Sequence, residues 1–218
     1  GGEDAIAFSS GLAAISAVLQ TLSPGDHILI ADDMYFGAKV LIQDIFQRWG
    51  LTYDAVDMSS PATVESALQL NAKLVWIETP SNPLLKITNI QAIADVAHSH
   101  GAVLAVDNTW PTPLLTRPIE HGADIVVHSL TKYVGGHGTT LGGAIVDSGK
   151  FPWADHKERF HMLNTPEAAY HGVVYTEAFG PAAYIGRART IGLRNTGAAL
   201  SAMAAFQLLQ GLETLTLR

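Results

Sequence analysis

No cysteine occurs among the 218 residues. Disulfides, thiolate-bound zinc, iron–sulfur clusters and thiol catalysis are therefore excluded. Basic residues are few: 13 Lys and Arg against 20 Asp and Glu, a formal charge of −7. Such a balance offers no electrostatic footprint for nucleic acid. Charged residues of both signs make up only 15%. Apolar runs are broken by Gly, Pro or charge before they reach the roughly 20 residues of a membrane span. No signal peptide is expected from the opening residues. The expectation is a soluble, cytoplasmic protein with neither nucleic acid nor membrane as a partner. There is no Gly-x-x-x-x-Gly-Lys-Ser/Thr loop, no internal repeat and no low-complexity tract. What is abundant is apolar: 48% of residues, with 20 Gly and 10 Pro. That composition belongs to a deeply buried globular chain, long enough to make a core without staples. The chain begins at Gly1 and ends at Arg218 inside a helical pattern, so a piece of a longer protein is expected.

Short apolar runs alternate with segments of helical periodicity. Strands are predicted at His27–Ala31, Thr52–Val56, 73–77, 102–106, 123–127 and 143–146. Helices are predicted at 12–19, 38–49, 62–70, 89–100, 178–190 and 197–210, with an irregular stretch over 147–170. Continuous Val, Ile, Leu and Ala runs separated by helices predict a three-layer α/β fold, a mostly parallel sheet with helices on both faces. In such sheets ligands sit beyond the carboxyl ends of the strands.

Those ends carry the chemistry. Asp107, Asn108 and Thr109 follow one strand; His128, Ser129, Thr131, Lys132 and Tyr133 follow another, with Gly135, Gly136, His137 and Gly138 behind them. Glu78 to Pro83, including Asn82, follow a third, and Asp32, Asp33 and Tyr35 a fourth. Ser9, Ser10 and Gly11 precede the helical run at 12–19. Each alone has an ordinary explanation as a cap, a turn or a solvated charge. All five clusters fall on one predicted sheet edge. A Ser-Gly at a helix N-terminus suits a phosphate, and the Ser129 and Thr131 hydroxyls could bind the same group. Lys132 could join an aldehyde. Asp107 could hold a pyridine nitrogen protonated, and Tyr35 could stack on a ring. Phosphate, aldehyde, pyridine and aromatic plane together describe pyridoxal 5′-phosphate (PLP). A metal is not expected: His98 and His100 lie two apart on a helix and point to different faces. Gly136-x-Gly138 lacks the strand–turn–helix context of a dinucleotide loop. Trp76, Trp110 and Trp153 read as packing residues.

The segments Ser10 to Ala14, Asp33 to Gly37, Glu78 to Pro83, Val106 to Thr109 and His128 to His137 together resemble the Cys/Met-metabolism PLP enzymes, the trans-sulfuration family. The resemblance runs in order along almost the whole chain. It implies the aspartate aminotransferase-like large domain (fold type I) over 1–190. Residues 191–218 would then begin the helical connection to a C-terminal domain absent from this chain. It further implies Lys132 as the Schiff-base lysine and proton shuttle, and Asp107 as partner of the pyridine nitrogen. Ser10, Gly11 and Leu12 would bind the phosphate with Ser129 and Thr131, Gly11 and Leu12 through their main-chain N–H groups. Tyr35 would stack on the ring and help deprotonate the substrate amine. Asn82 would lie near the cofactor's phenolic oxygen and the substrate carboxylate, with Thr109 behind the site. The family usually has Met where this chain has Leu12, and Tyr-Gly-Gly-Thr where it has Tyr35-Phe36-Gly37-Ala38.

Residues 136–143, 146–151 and 170–182 are similar to the O-acetylhomoserine sulfhydrylases. That likeness implies γ-replacement on O-acetylhomoserine by sulfide or a small thiol, giving homocysteine or methionine. The alternatives are a C–S lyase of the methionine γ-lyase or cystathionine lyase type, and a truncated cofactor-binding domain without turnover. The family also implies a homodimer or homotetramer. In it an N-terminal arm serves the neighbouring subunit's phosphate site, and a C-terminal Arg holds the substrate carboxylate. Neither is expected within this chain.

Overall fold

The computed structural model describes residues 2–69 and 71–218. Seven strands form one sheet: β1 Asp4–Phe8, β2 His27–Ala31, β3 Thr52–Val56, β4 Leu74–Glu78, β5 Val103–Asp107, β6 Ile125–Ser129 and β7 Gly143–Asp147. Their order is β1-β7-β6-β5-β4-β2-β3. From β6 to β3 all pairings are parallel, and β7 is antiparallel to both β6 and β1. Helices cover both faces, so the expected α/β architecture holds. Every residue of β4 and β5 is buried, which is why these strands read as unbroken apolar runs.

Three central strands end later than their apolar runs. Parallel register pairs Glu78 with Asp107 and Asp107 with Val127. The ladder thus continues into the polar residues, and Glu78, Asp107 and Ser129 close strands instead of opening loops. β1 is a strand the sequence pattern does not reveal.

The helices start where side chains cap them. Ser10 accepts the Ala13 N–H at 3.1 Å and opens Gly11–Leu19. Ser60 and Asn89 do the same for Pro61–Leu68 and Ile90–Ser99. The latter buries Ile90, Ile93, Ala94 and Ala97, the i, i+3, i+4, i+7 stripe of a surface helix. The helix predicted at 62–70 has its last position, Leu70, outside the described residues, as is Gly1. The helix predicted at 38–49 begins at Phe36 and passes through a wide π turn at Ile42–Phe46. The segment predicted at 178–190 is divided. Tyr175–Phe179 stops at Gly180, whose φ is 52°, and Ala183–Arg187 runs on into a second π stretch. The last helix starts at Ala202, not at 197. Ser201 caps it through the Ala204 N–H at 3.1 Å, and Gly197 has a φ of 71°. The irregular stretch after β7 packs as an aromatic cluster. Trp153 lies 4.6 Å from Phe151, 5.0 Å from Phe160 and 5.6 Å from Tyr184 between ring centres. Trp76 and Trp153 are buried packing residues, as expected.

One close approach ties the sheet to the first helix. A Cβ on Gly143 would lie 2.1 Å from the Ser10 carbonyl oxygen and 2.9 Å from the Gly11 nitrogen. Both are backbone atoms and cannot swing away. Gly143→Ala is expected to destabilise the fold by about 3 kcal/mol, read as a lower urea midpoint at unchanged m-value.

Candidate active site

A cavity of about 560 Å³ opens at the carboxyl edge of the parallel strands. Its wall holds Ser10, Gly11, Leu12, Tyr35, Asn82, Asp107, Thr109, Ser129, Thr131 and Lys132. These are all the site residues the sequence singles out, and the fold brings them together from five separate segments.

One end of the cavity is made by the N-terminus of Gly11–Leu19. The first N–H groups of any helix lack intrahelical partners, and those of Gly11 and Leu12 have none among the described residues. Gly11 permits the close approach of β6: a Cβ there would lie 2.8 Å from the Ser129 Cβ. The Ser129 hydroxyl is without a hydrogen-bond partner among the described residues, while its N–H donates to the Thr109 hydroxyl at 2.8 Å. The Thr131 hydroxyl is already engaged. It donates to the Gly142 carbonyl at 3.2 Å and accepts the Gly142 N–H at 3.0 Å. Thr131 therefore clasps the segment leading into β7 as well as lining the cavity.

Asp107 closes β5 and is buried. Its Oδ1 accepts the Thr109 N–H at 3.0 Å and the Thr109 hydroxyl at 2.6 Å. Oδ2 has no protein partner among the described residues. Burial pushes the Asp107 carboxyl above its ordinary range, and the two bonds from Thr109 pull it partly back. A buried carboxyl facing a cavity with one oxygen free is costly unless a cation or donor meets it. Lys132 lies on the turn after β6, where its N–H donates to the Ser129 carbonyl at 3.1 Å and its own carbonyl accepts the Gly136 N–H at 2.7 Å. Its side chain is exposed to the cavity and makes no ion pair among the described residues.

Tyr35 and Asn82 complete the wall. The Asn82 side-chain amide has no partner among the described residues. The Tyr35 ring folds against Gly37, where a Cβ would come within 2.7 Å of the ring. Here an aromatic plane, a free amide, an amine, a buried carboxyl and a helix N-terminus with a free hydroxyl surround one space. The set matches the donor chemistry of PLP: anion-binding groups at one end, an acid for the ring nitrogen, an amine for the aldehyde.

Other wall residues carry no role in the sequence reading: Ile15, Glu78, Trp110, Val127, Tyr133 and Leu141. Trp110 corrects the packing expectation. It is 41% exposed and lines the cavity, its ring 5.9 Å from that of Tyr133. Its position directly after Asp107–Thr109 was the available signal. Glu78 closes an apolar strand at the same edge as Asp107, so the strand-end rule points to it equally. It accepts the Tyr35 N–H at 2.7 Å, and burial beside Asp107 raises its carboxyl to about 8. His128 is buried on β6, which lowers it to about 4 and keeps it neutral. His98 is paired instead with Asp124, at 2.9 Å.

Comparison with known proteins gives a consistent picture. A family model described as Cys/Met metabolism PLP-dependent enzyme matches residues 1–218. The homocysteine synthase of Schizosaccharomyces pombe is 45% identical over all of this chain and 51% of its own length. The O-acetyl-L-homoserine sulfhydrylase of Corynebacterium glutamicum is 42% identical, again over 100% of this chain and 51% of its own. A crystal structure from Campylobacter jejuni, assigned as an O-acetylhomoserine (thiol)-lyase and carrying a pyridoxyl-lysine phosphate, superposes with a TM-score of 0.93. That protein is 36% identical, over 100% of this chain and 53% of its own. The chain spans about half the length of the curated relatives it matches.

Proposed function

We propose that this chain, which belongs to the family of Cys/Met-metabolism PLP-dependent enzymes, is the cofactor-binding core of an enzyme that exchanges the acetyl group of O-acetylhomoserine for sulfide or a small thiol. The observation that carries the reading is the buried Asp107, its Oδ2 free at a cavity that Lys132 and the open N–H groups of Gly11 and Leu12 share. The names of the relatives, homocysteine synthase and O-acetyl-L-homoserine sulfhydrylase, support the choice of substrate.

When bound, PLP supplies an electron sink for the carbanions that such an exchange requires at Cα and Cβ of the amino acid. The chain's residues would do the rest. Ser10, Gly11, Leu12 and Ser129 would hold the phosphate, with Thr131 contributing only by exchanging its bond to Gly142. Asp107 would face the ring nitrogen, oriented by Thr109. Lys132 Nζ would hold the aldehyde carbon, and once released would take protons from Cα and Cβ and return them to the same two carbons after sulfur has bonded at Cγ. Tyr35 would cover the ring face, and its hydroxyl would accept a proton from the substrate amine. Asn82 would meet the phenolic oxygen and the substrate carboxylate. Acetate leaves from Cγ with its electron pair, the sulfur nucleophile bonds to the same carbon, and homocysteine or a thioether such as methionine results.

The same reading assigns residues 1–190 to the large domain and 191–218 to the connection toward a further domain. It also has the protein working as a cytoplasmic homodimer or homotetramer. Met203, Phe206 and Leu209 are exposed along Ala202–Glu213, apolar surface that an interface or a further domain would cover. No helix among the described residues is long and apolar enough to cross a membrane.

The test is borohydride reduction of the protein mixed with PLP, followed by peptide mapping. A stable adduct on Lys132 is the expected result. An adduct on another lysine, or none in a protein of the relatives' full length, overturns the reading. With the adduct in hand, O-acetylhomoserine and sulfide should give homocysteine. Sulfide-independent release of ammonia and a keto acid would point to the lyase alternative.

A further inference from the structure

Glu78 closes β4, is 5% exposed and stands opposite Asp107 in the parallel register. Both side chains line the same cavity. Its Oε2 accepts the main-chain N–H of Tyr35 at 2.7 Å, across 43 residues of sequence. On its other side, the Tyr35 carbonyl accepts the N–H groups of Ala38 at 3.0 Å and Lys39 at 3.2 Å. The backbone at Tyr35 is thus anchored twice, by a helix turn and by one carboxyl. The phenol makes no hydrogen bond among the described residues, and its ring rests on the bare Cα of Gly37. Nothing on the side chain itself fixes the ring. Its place follows from the main chain.

We propose that Glu78 is a positioning residue of the cofactor site, whose carboxyl holds the Tyr35 ring at the cavity wall beside Asp107 by way of the Tyr35 N–H. The proposal rests on the cofactor reading given above and adds a residue to it.

The charge of Glu78 matters as well as its shape. The groups that act on it are Asp107 from β5, Asp33 from the turn after β2 and the Tyr35 N–H, while Lys132 lines the same cavity. Asp33 is itself tied to the loop after β4 by the Ser81 hydroxyl and the Leu84 N–H. Burial, then Asp107, raises the Glu78 carboxyl to about 8, with Asp33 adding to the effect and the Tyr35 N–H opposing it. Near neutral pH the group is a neutral acid that still accepts the Tyr35 N–H. Above that value Glu78 ionises and sets a negative charge beside Asp107.

The test compares the PLP-loaded enzyme with its Glu78→Leu, Glu78→Gln and Tyr35→Ala variants and the Tyr35→Ala/Glu78→Leu double variant. The readouts are the PLP dissociation constant and the visible circular dichroism of bound PLP, which reports a fixed aromatic surrounding. Glu78→Leu should weaken PLP about tenfold, the size of one lost buried hydrogen bond, and should lose most of the dichroism. Glu78→Gln keeps a neutral acceptor and should recover both to within about threefold. In the Tyr35→Ala background, Glu78→Leu should cost less than about twofold, the signature of coupled residues. Between pH 7 and 9 the unsubstituted enzyme should lose affinity and the Gln variant should not. Additive losses, an unchanged Glu78→Leu, or a Gln variant as damaged as Leu would each overturn the proposal. If Glu78→Leu does not fold, the pH comparison between Glu and Gln decides alone. An unsubstituted enzyme without a Lys132 adduct would sink the cofactor reading instead, so the two failures are separable.

Discussion

Lys132→Ala is expected to abolish the visible absorption of bound PLP and to cut turnover by on the order of 10⁴-fold, as loss of a covalent catalytic group does. The fold should hardly notice. The side chain is exposed to the cavity and pairs with no acid among the described residues, so its removal should change stability by no more than about 0.5 kcal/mol. The turn that carries it is held by main-chain bonds, from Lys132 to Ser129 and from Gly136 to Lys132, and by the clasp of the Thr131 hydroxyl on Gly142. Those bonds survive the substitution. On the proposed reading one amine both holds the aldehyde and carries the Cα proton, and among the described residues no other lysine lines the cavity. An absorption spectrum, a urea titration and an assay with O-acetylhomoserine and sulfide check the three parts. A visible band retained in the Ala variant would refute the assignment of Lys132.

Asp107→Asn is expected to move stability and activity in opposite directions. An Asn keeps the oxygen that accepts the Thr109 N–H and hydroxyl, so the shape of the site is preserved. In the cofactor-free protein Asp107 is buried, and its carboxyl lies above the ordinary value of 3.8. The folded state then binds the proton more tightly than the unfolded one. Stability associated with this residue is fully present below that ordinary value and declines as pH rises through the folded-state value. Asn carries no charge to desolvate, so the variant should be more stable than the parent at neutral pH. Against a pyridine nitrogen, however, an amide can only donate a hydrogen bond and cannot hold a proton there. The electron sink is lost, and turnover should fall by on the order of 10² to 10³-fold. A stabilised, inactive Asn variant is the expected pair of results. A variant with parental turnover would show that Asp107 does not serve the ring nitrogen.

The centre of the fold was readable because burial on both faces writes itself into the chain. Ile28–Ala31, Leu74–Ile77 and Val103–Val106 are apolar at every position, as parallel strands covered on both faces are. β1 was not readable. Its burial alternates at the sheet margin over five residues, and β7 is its one partner among the described strands, so its pattern matches that of many loops. The start of the last helix was misplaced because the apolar residues at 198–200 continue its composition without its geometry, and only the Ser201 cap marks the boundary. In the cavity wall, residues found by the strand-end rule came together from five segments. Glu78 was among the strand-end residues but was given no role, because nothing local shows that its carboxyl meets the Tyr35 N–H 43 residues away. Trp110 escaped because an aromatic side chain gives no sign of which surface it covers. The clasp between Thr131 and Gly142 depends on how the intervening loop returns, which no local pattern encodes.

The placement of β7 has a consequence in time. β1 is made first, yet its hydrogen-bonded neighbour among the described strands is β7, with Asp4 opposite Asp147. At ribosomal rates of about 5–20 residues per second, roughly 7–30 s separate the synthesis of the two strands. The Ser10–Gly11 end of the cavity leans on Gly143 and Ser129, so it waits for the same event. Closing so long a loop also places the chain among the slow folders, whose native contacts are far apart in sequence. A nascent chain paused before β7 has made Asp107 and Lys132 but has not yet assembled the anion-binding end that would keep the cofactor between them. On the cofactor reading, PLP added during translation should begin to protect the chain from proteolysis only after β7 has emerged.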